Sequence, residues 1–298
     1  MAERAEGQIV VSVCGRTHRG RVRKENQDSM LVADLASVGG EGNGGPTTAT
    51  SVGPLHFDLT DRGVILLVAD GMGGRAGGAR ASALAVSSVR QAMANGAHPD
   101  GASPDAFVQG LRRALDVANE DIHEESRRDD SLRGMGTTAT LAGIRAGVVY
   151  LAQVGDSRAY LVRKDALARI TRDQSLVQDL IDSGIVSEQA AKAMRDNRIL
   201  QALGTAPSVT PEITYHELRR DDVLLLCSDG LSRVVADEEI CEIVTDTDDG
   251  LAVCDQLIAL ANARGGPDNI TVLVARIGGD GAGPAERADG VARRVYQP

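Results

Sequence analysis

Five aspartates stand where apolar runs meet small or polar residues: Asp28 in RKENQDS, Asp70 in VADGMGG, Asp156 in AQVGDSRAY, Asp229 in LLLCSDGLS and Asp268 in GGPDNITVLV. Each alone is ordinary turn chemistry, because Asp beside Gly favours a tight reversal. Five of them at the starts and ends of expected strands suggest one shared site. Carboxylates gathered together repel unless they are protonated or bound to cations, and hard oxygen ligands suit Mg²⁺ or Mn²⁺ rather than zinc or copper. Two such ions about 3.5–4 Å apart can acidify a bridging water and clamp a phosphoryl group for in-line attack.

Other chemistries fit less well. Gly71-x-Gly73-x-x-Ala76 has the loose form of a dinucleotide fingerprint, but that motif needs an acid at the end of a second strand roughly 20 residues on. The chain there reads SALAVSSVRQAMANG, a helical pattern without an acid. Cys227-x-x-Gly230-x-x-Arg233 has the spacing of a thiolate loop that cradles phosphate. Asp229 inside that loop would repel a phosphate dianion, and Cys227 reads as the last buried residue of a strand, where a thiol is hard to ionise. There is no G-x-S-x-G elbow, no patterned histidine among His18, His56, His98, His123 and His216, and no P-loop.

The elements that must hold the acids are mostly short strands. Residues 9–13 and 30–33 read as strands of a first β-ribbon, followed by strands at 63–68, 137–145, 147–154, 158–163, 223–228 and 269–276. Helical spacing covers 79–94 and 104–127, the second with Leu111, Leu115, Ala118 and Ile122 on one face and Ser103-Pro104-Asp105 as a start signal. Two further helices are expected near 237–244 and 250–263. Helices grouped in pairs, without strict βαβ alternation, point to mostly antiparallel sheets flanked by helices. The expected organisation is a short extension (1–8), one domain (9–277) and a disordered tail (278–298). Within the domain, 39–54 reads as a flexible loop and 164–203 as a flap, helical and polar from residue 173.

Composition narrows the partners. The 298 residues carry a net charge of −10, and only 2% are aromatic, with no Trp. That leaves neither the basic footprint of a nucleic-acid or membrane binder nor platforms for base stacking. The four cysteines form no C-x-x-C pair, and neither a signal-like segment nor a bilayer-length apolar run is present. A cytoplasmic protein without structural zinc is expected.

Six short motifs, in order, carry a resemblance: R-x-x-N-x-D (23–28), A-D-G-M-G-G (69–74), G-T-T-A-T (136–140), V-G-D-S-R (154–158), C-S-D-G-L (227–231) and D-N-I-T-V (268–272). Together the series resembles the metal-dependent protein phosphatase family, the type 2C serine/threonine phosphatases, especially its bacterial members. The resemblance spans 9–277. It implies an α+β fold, a four-layer αββα sandwich with two central, mostly antiparallel sheets flanked by helix pairs and a metal site at one end.

The activity it implies is hydrolysis of phosphoserine and phosphothreonine in proteins by a metal-bridging hydroxide, without a covalent intermediate. Kinases and their substrates would be the partners of a monomeric enzyme opposing protein kinases in bacterial signalling. By motif, Asp70 would bridge two Mn²⁺ or Mg²⁺ ions, Gly71 would offer its carbonyl to one, and Asp229 and Asp268 would bind the other. Asp28 would contact the metal waters, Arg23 would face the substrate phosphate with its fork, and Asp156 with Asp229 would hold a third, weaker ion. Arg23, Asp28 and Asp70 are thus the catalytic candidates. The flap, with Arg172, Arg195 and Arg198, would border the cleft.

This chain departs from some members at Met72, where many eukaryotic relatives carry a His suspected as general acid, and at Gln27, where some carry a Glu ligand. Two alternatives stand beside this reading: a phosphatase dedicated to one regulator, such as an anti-sigma antagonist, and a non-catalytic phosphoprotein-binding module on the same fold. The intact aspartate set argues against the second.

Overall fold

The computed structural model describes residues 7–37, 50–73, 77–95, 103–191, 194, 198–285 and 290–297. Along them run strands β1 (Val10–His18), β2 (Asp28–Asp34), β3 (Ser51–Asp58) and β4 (Val64–Met72), then helices α1 (Gly77–Asn95) and α2 (Pro104–Arg128). Strands β5 (Gly136–Thr137), β6 (Ala139–Arg145), β7 (Val148–Val154), β8 (Arg158–Arg163) and β9 (Ala166–Arg169) follow. The chain continues through α3 (Leu176–Asp182), α4 (Glu188–Ala191), β10 (Glu212–Glu217), β11 (Val223–Cys227), α5 (Asp229–Ser232), α6 (Asp237–Asp246), α7 (Gly250–Ala263) and β12 (Ile270–Gly278).

The strands form two sheets in which the named pairings are antiparallel. One has the order β3-β1-β12-β11-β8-β9, the other β10-β7-β6-β4-β2 with β5 on the end of β4. Side-chain alternation explains how four layers arise. Along β4, Leu66 and Val68 join Met30, Leu226 and Leu273 in the core between the sheets, while Ile65, Leu67 and Ala69 point to α1 and α2. On the other sheet, Leu224 and Leu226 face the inter-sheet core, and Leu225 and Cys227 face α6 and α7. A strand covered on both faces must be apolar throughout, which is why 64–69 reads as an unbroken run. Helix α2 begins as its start signal requires: Ser103 Oγ accepts from Ala106 N at 3.2 Å, and Pro104 opens the first turn.

Three expectations need correction. Strands β1 and β2 do not form a ribbon, since β1 pairs with β12 and β3 while β2 pairs with β4 in the other sheet. The loop expected over 39–54 gives way from Ser51 to strand β3, an edge strand where Gly53 and Pro54 are tolerated; residues 39–49 lie outside the described residues. The C-terminal segment is docked and not a free tail. Tyr215 N donates to Arg294 O at 3.0 Å, Tyr296 N donates to Ile213 O at 2.9 Å, and the Tyr296 ring packs edge-on against Tyr150 and Tyr215. This segment covers the free edge of β10, which would otherwise offer unpaired backbone groups to other chains.

Candidate active site

Antiparallel pairing brings the strand ends that carry the five aspartates to the same end of the sandwich. Asp28, at the start of β2, lies opposite Asp70, near the end of β4. Asp229 follows β11 and Asp268 precedes β12, two neighbours in the other sheet, and Asp156 sits in the connection from β7 to β8. Hydrogen bonds tie the sheets together here: Asp28 Oδ2 accepts from Ser228 Oγ at 2.7 Å and from Thr271 Oγ1 at 2.6 Å. The result is a cleft of about 1030 Å³ whose lining includes Asp70, Gly71, Asp156, Asp229 and Asp268, with Asp28 buried behind them.

The acids bear the marks of crowding. Burial pushes Asp28 up to about 6, although the Thr271 and Ser228 hydroxyls oppose it. Burial, then Asp156, pushes Asp229 up to about 7, and burial with Asp28 and Asp229 raises Asp70 well above the ordinary carboxylate range. Asp28 Oδ1 and Asp229 Oδ1 are buried without a hydrogen-bonding partner. Buried, unpaired carboxylate oxygens are costly, and a cation would relieve them. The donors are all oxygens, which suits Mg²⁺ or Mn²⁺. Among the described residues no three acids are yet drawn together closely enough to hold an ion by themselves. Two arginines occupy them instead: Arg23 pairs with Asp268 at 2.7 Å, and Arg233 pairs with Asp156 at 2.9 Å and Asp229 at 2.8 Å.

Known proteins resemble this chain in sequence and fold. The profile of the protein phosphatase 2C family matches residues 54–262. The chain belongs to that family. It is 35% identical over 260 residues to the serine/threonine phosphatase stp of Listeria monocytogenes, covering 87% of this chain and 93% of the relative. The crystal structure of the Mycobacterium tuberculosis serine/threonine phosphatase PstP/Ppp superposes with a TM-score of 0.73 at 32% identity, over 90% of this chain and 99% of that one. A structure of the PstP catalytic domain in complex with two manganese ions superposes with a TM-score of 0.72 at 32% identity, covering 91% and 99%. As a protein phosphatase 2C member the chain is an enzyme, a serine/threonine protein phosphatase, and the expected four-layer sandwich is the fold it shares with these structures.

The structure explains why this phosphatase carries Asp70-Gly71 near the end of β4. A Cβ at Gly71 would lie 2.1 Å from Gly78 O and 2.6 Å from Gln27 O, so only glycine lets β4 pass the start of α1. Gly73, at φ +111°, makes the turn, and Gly78 N donates to its carbonyl at 2.8 Å. Gly74 lies outside the described residues. Asp70 is fixed through its backbone: its N–H donates to Thr138 Oγ1 at 3.0 Å, and its carbonyl accepts from Thr138 N and Thr137 Oγ1, each at 2.9 Å.

Several contributors were not singled out as site residues by motif reading. Asn269 clamps the loop that carries Arg23, donating from Nδ2 to Arg19 O at 2.8 Å and Glu25 O at 2.9 Å, while its Oδ1 accepts from Gln27 N at 2.8 Å. Gln174 holds the turn that presents Asp156, its Oε1 accepting from Gly155 N at 2.9 Å. Beside it Arg158 pairs with Asp173 at 2.7 Å and so anchors the base of the flap. In the flap, Arg172 is bound to Asp182, Arg198 lines the cleft, and Arg195 lies outside the described residues. In the sequence Arg233 stands out only as the arginine of the C-x-x-G-x-x-R spacing, which the structure does not use as a cysteine loop. Burial pushes the Cys227 thiol up to about 12, which removes it as a nucleophile.

Proposed function

We propose that Asp28, Asp70, Gly71, Asp229 and Asp268 form a two-ion centre for Mn²⁺ or Mg²⁺, and that Arg23 binds the phosphate of phosphoserine or phosphothreonine in protein substrates. The observation that carries this reading is the convergence of buried acids with unpartnered oxygens, Asp28 Oδ1 and Asp229 Oδ1, at the mouth shared by the two sheets. When bound, the ions supply an acidified water and charge neutralisation for the phosphoryl group. The protein's own part is placement. Thr137 and Thr138 lock Asp70, Ser228 and Thr271 lock Asp28, and Asn269 keeps the Arg23 loop at the rim, where a guanidinium can pair with two phosphate oxygens. With Cys227 buried in the core against α6 and α7, water attacks phosphorus directly in this reading, and the alcohol leaves without a phosphoenzyme. Met72, half exposed at the cleft, cannot give the leaving oxygen its proton.

Phosphorylated proteins are the substrates in this reading, with serine/threonine kinases and their targets the natural class, and the enzyme works as a cytoplasmic monomer. Among the described residues no helix is long and apolar enough to cross a membrane. Hydrolysis of phosphopeptides and of a chromogenic phosphate ester, with Mn²⁺ and with EDTA, tests the proposal. Full turnover in EDTA would refute the two-ion centre.

A further inference from the structure

Arg233 has a place in the cleft that a two-ion centre does not require. Its Nη2 lies 2.9 Å from Asp156 Oδ2 and 2.8 Å from Asp229 Oδ2, the two acids that a third divalent ion would have to share. The residue caps α5 four positions after Asp229, so the local helix geometry holds the guanidinium over that acid. The fork of Arg158, two residues on from Asp156, hydrogen-bonds Asp173 and not Asp156. Arg23 is placed differently: it touches a single acid, Asp268, and its side chain is 54% exposed, free to swing toward a phosphate when a cation claims Asp268.

We propose that Arg233 is a built-in cation that stands in for a third metal ion between Asp156 and Asp229, so that this enzyme holds two divalent ions and no third. The proposal rests on the two-ion reading above. Charge balance within the acid cluster supports it. Setting aside Arg23, Lys24, Glu25 and Arg198, which also line the cleft, Asp28, Asp70, Asp156, Asp229 and Asp268 carry −5 when ionised; two divalent ions (+4) and Arg233 (+1) bring the cluster to zero, whereas a third divalent ion would leave an excess of +2. A third ion would also have to break two charge-assisted contacts in a partly desolvated cleft, where such contacts are strong. In return it would gain Asp156 and a share of Asp229, which the two-ion centre already uses.

The test counts bound metal. Mn²⁺ binding is measured by calorimetry, and by equilibrium dialysis with elemental analysis at millimolar Mn²⁺, for wild type, Arg233→Gln, Asp156→Asn and the double variant, each checked for folding by circular dichroism. About two ions per chain are expected for wild type and for Asp156→Asn, about three for Arg233→Gln, and about two again for the double variant. A third ion in wild type that is lost in Asp156→Asn overturns the proposal, and this comparison stands even should Arg233→Gln fail to fold. Folded Arg233→Gln that binds no more than two ions overturns it as well. Wild type that binds no Mn²⁺ refutes the two-ion reading itself, and the proposal falls with it.

Discussion

Arg23 Nη2 lies 2.7 Å from Asp268 Oδ2, so the guanidinium suited to phosphate is held by an acid suited to metal. In the proposed two-ion centre, a cation arriving at Asp268 would compete for that carboxylate and release the fork toward substrate. Arg23→Ala should therefore raise KM for phosphopeptides by roughly 10-fold while kcat changes less, because a group that grips ground state and transition state alike supplies uniform binding. Steady-state kinetics at saturating Mn²⁺ measures this. A loss confined to kcat would contradict the role.

Asp70 faces Asp28 across β2 and β4 and borders the acids of the other sheet, so its charge is the one most shared within the site. Asp70→Asn keeps the shape and removes the charge. Activity should fall by about 10³-fold or more and Mn²⁺ affinity should fall with it. Parallel calorimetry and phosphopeptide assays decide the matter: tight Mn²⁺ binding in an inactive variant would take Asp70 out of the metal centre.

Cys227 lies in the core against α6 and α7, and burial pushes its thiol up to about 12, so it stays protonated at pH 7. Cys227→Ala should leave kcat/KM within a few-fold and cost about 1 kcal/mol of stability in urea titration. A loss of several decades in a folded variant would revive a thiolate mechanism.

His216 on β10 is buried, its Nε2 lacks a partner, and burial, helped by Arg294 and Arg163, pushes it down to about 4. The unfolded chain takes up this proton near pH 6.5, whereas the folded chain does so only near pH 4. Its contribution is thus complete above pH 6.5 and is lost as pH falls toward 4. From pH 7 to pH 5 wild type should lose about 2 kcal/mol relative to His216→Gln, read from paired urea titrations. Equal slopes for the two proteins would show that His216 titrates normally in the fold.

Removing residues 290–298 should uncover the β10 edge together with Tyr150 and Tyr215. The expected result is a Tm lower by several degrees and aggregation that grows with concentration, with Mn²⁺-dependent hydrolysis of a small ester kept within a few-fold. An unchanged Tm would mean that the docked segment adds nothing to stability.

Local pattern was enough to show most strands, both helix pairs and the five aspartates as a set. Apolar runs of period 2 or 3.6 and an Asp at a run's end are properties of neighbouring residues, legible without any partner. The pairing of strands was not legible, because β1 and β2 are adjacent in the chain yet find β12 and β4, and only the burial of both faces of each sheet selects those partners. The edge strand β3 hid behind Gly53 and Pro54, which read as loop until the strand lies at a sheet margin. The docked C-terminus was equally hidden, since its order comes from backbone bonds to Ile213 and Tyr215 and not from its own polar composition.

In the active site the sequence determined which acids were available, and the tertiary structure decided what each one meets. Asp28 meets Ser228 and Thr271 from the opposite sheet, Asp268 meets Arg23, and Asp156 meets Arg233 across 77 positions of chain. The physical reason is that ion pairs and hydrogen bonds act over a few ångströms of space, whatever the separation along the chain. Only the closed sandwich brings those groups within reach.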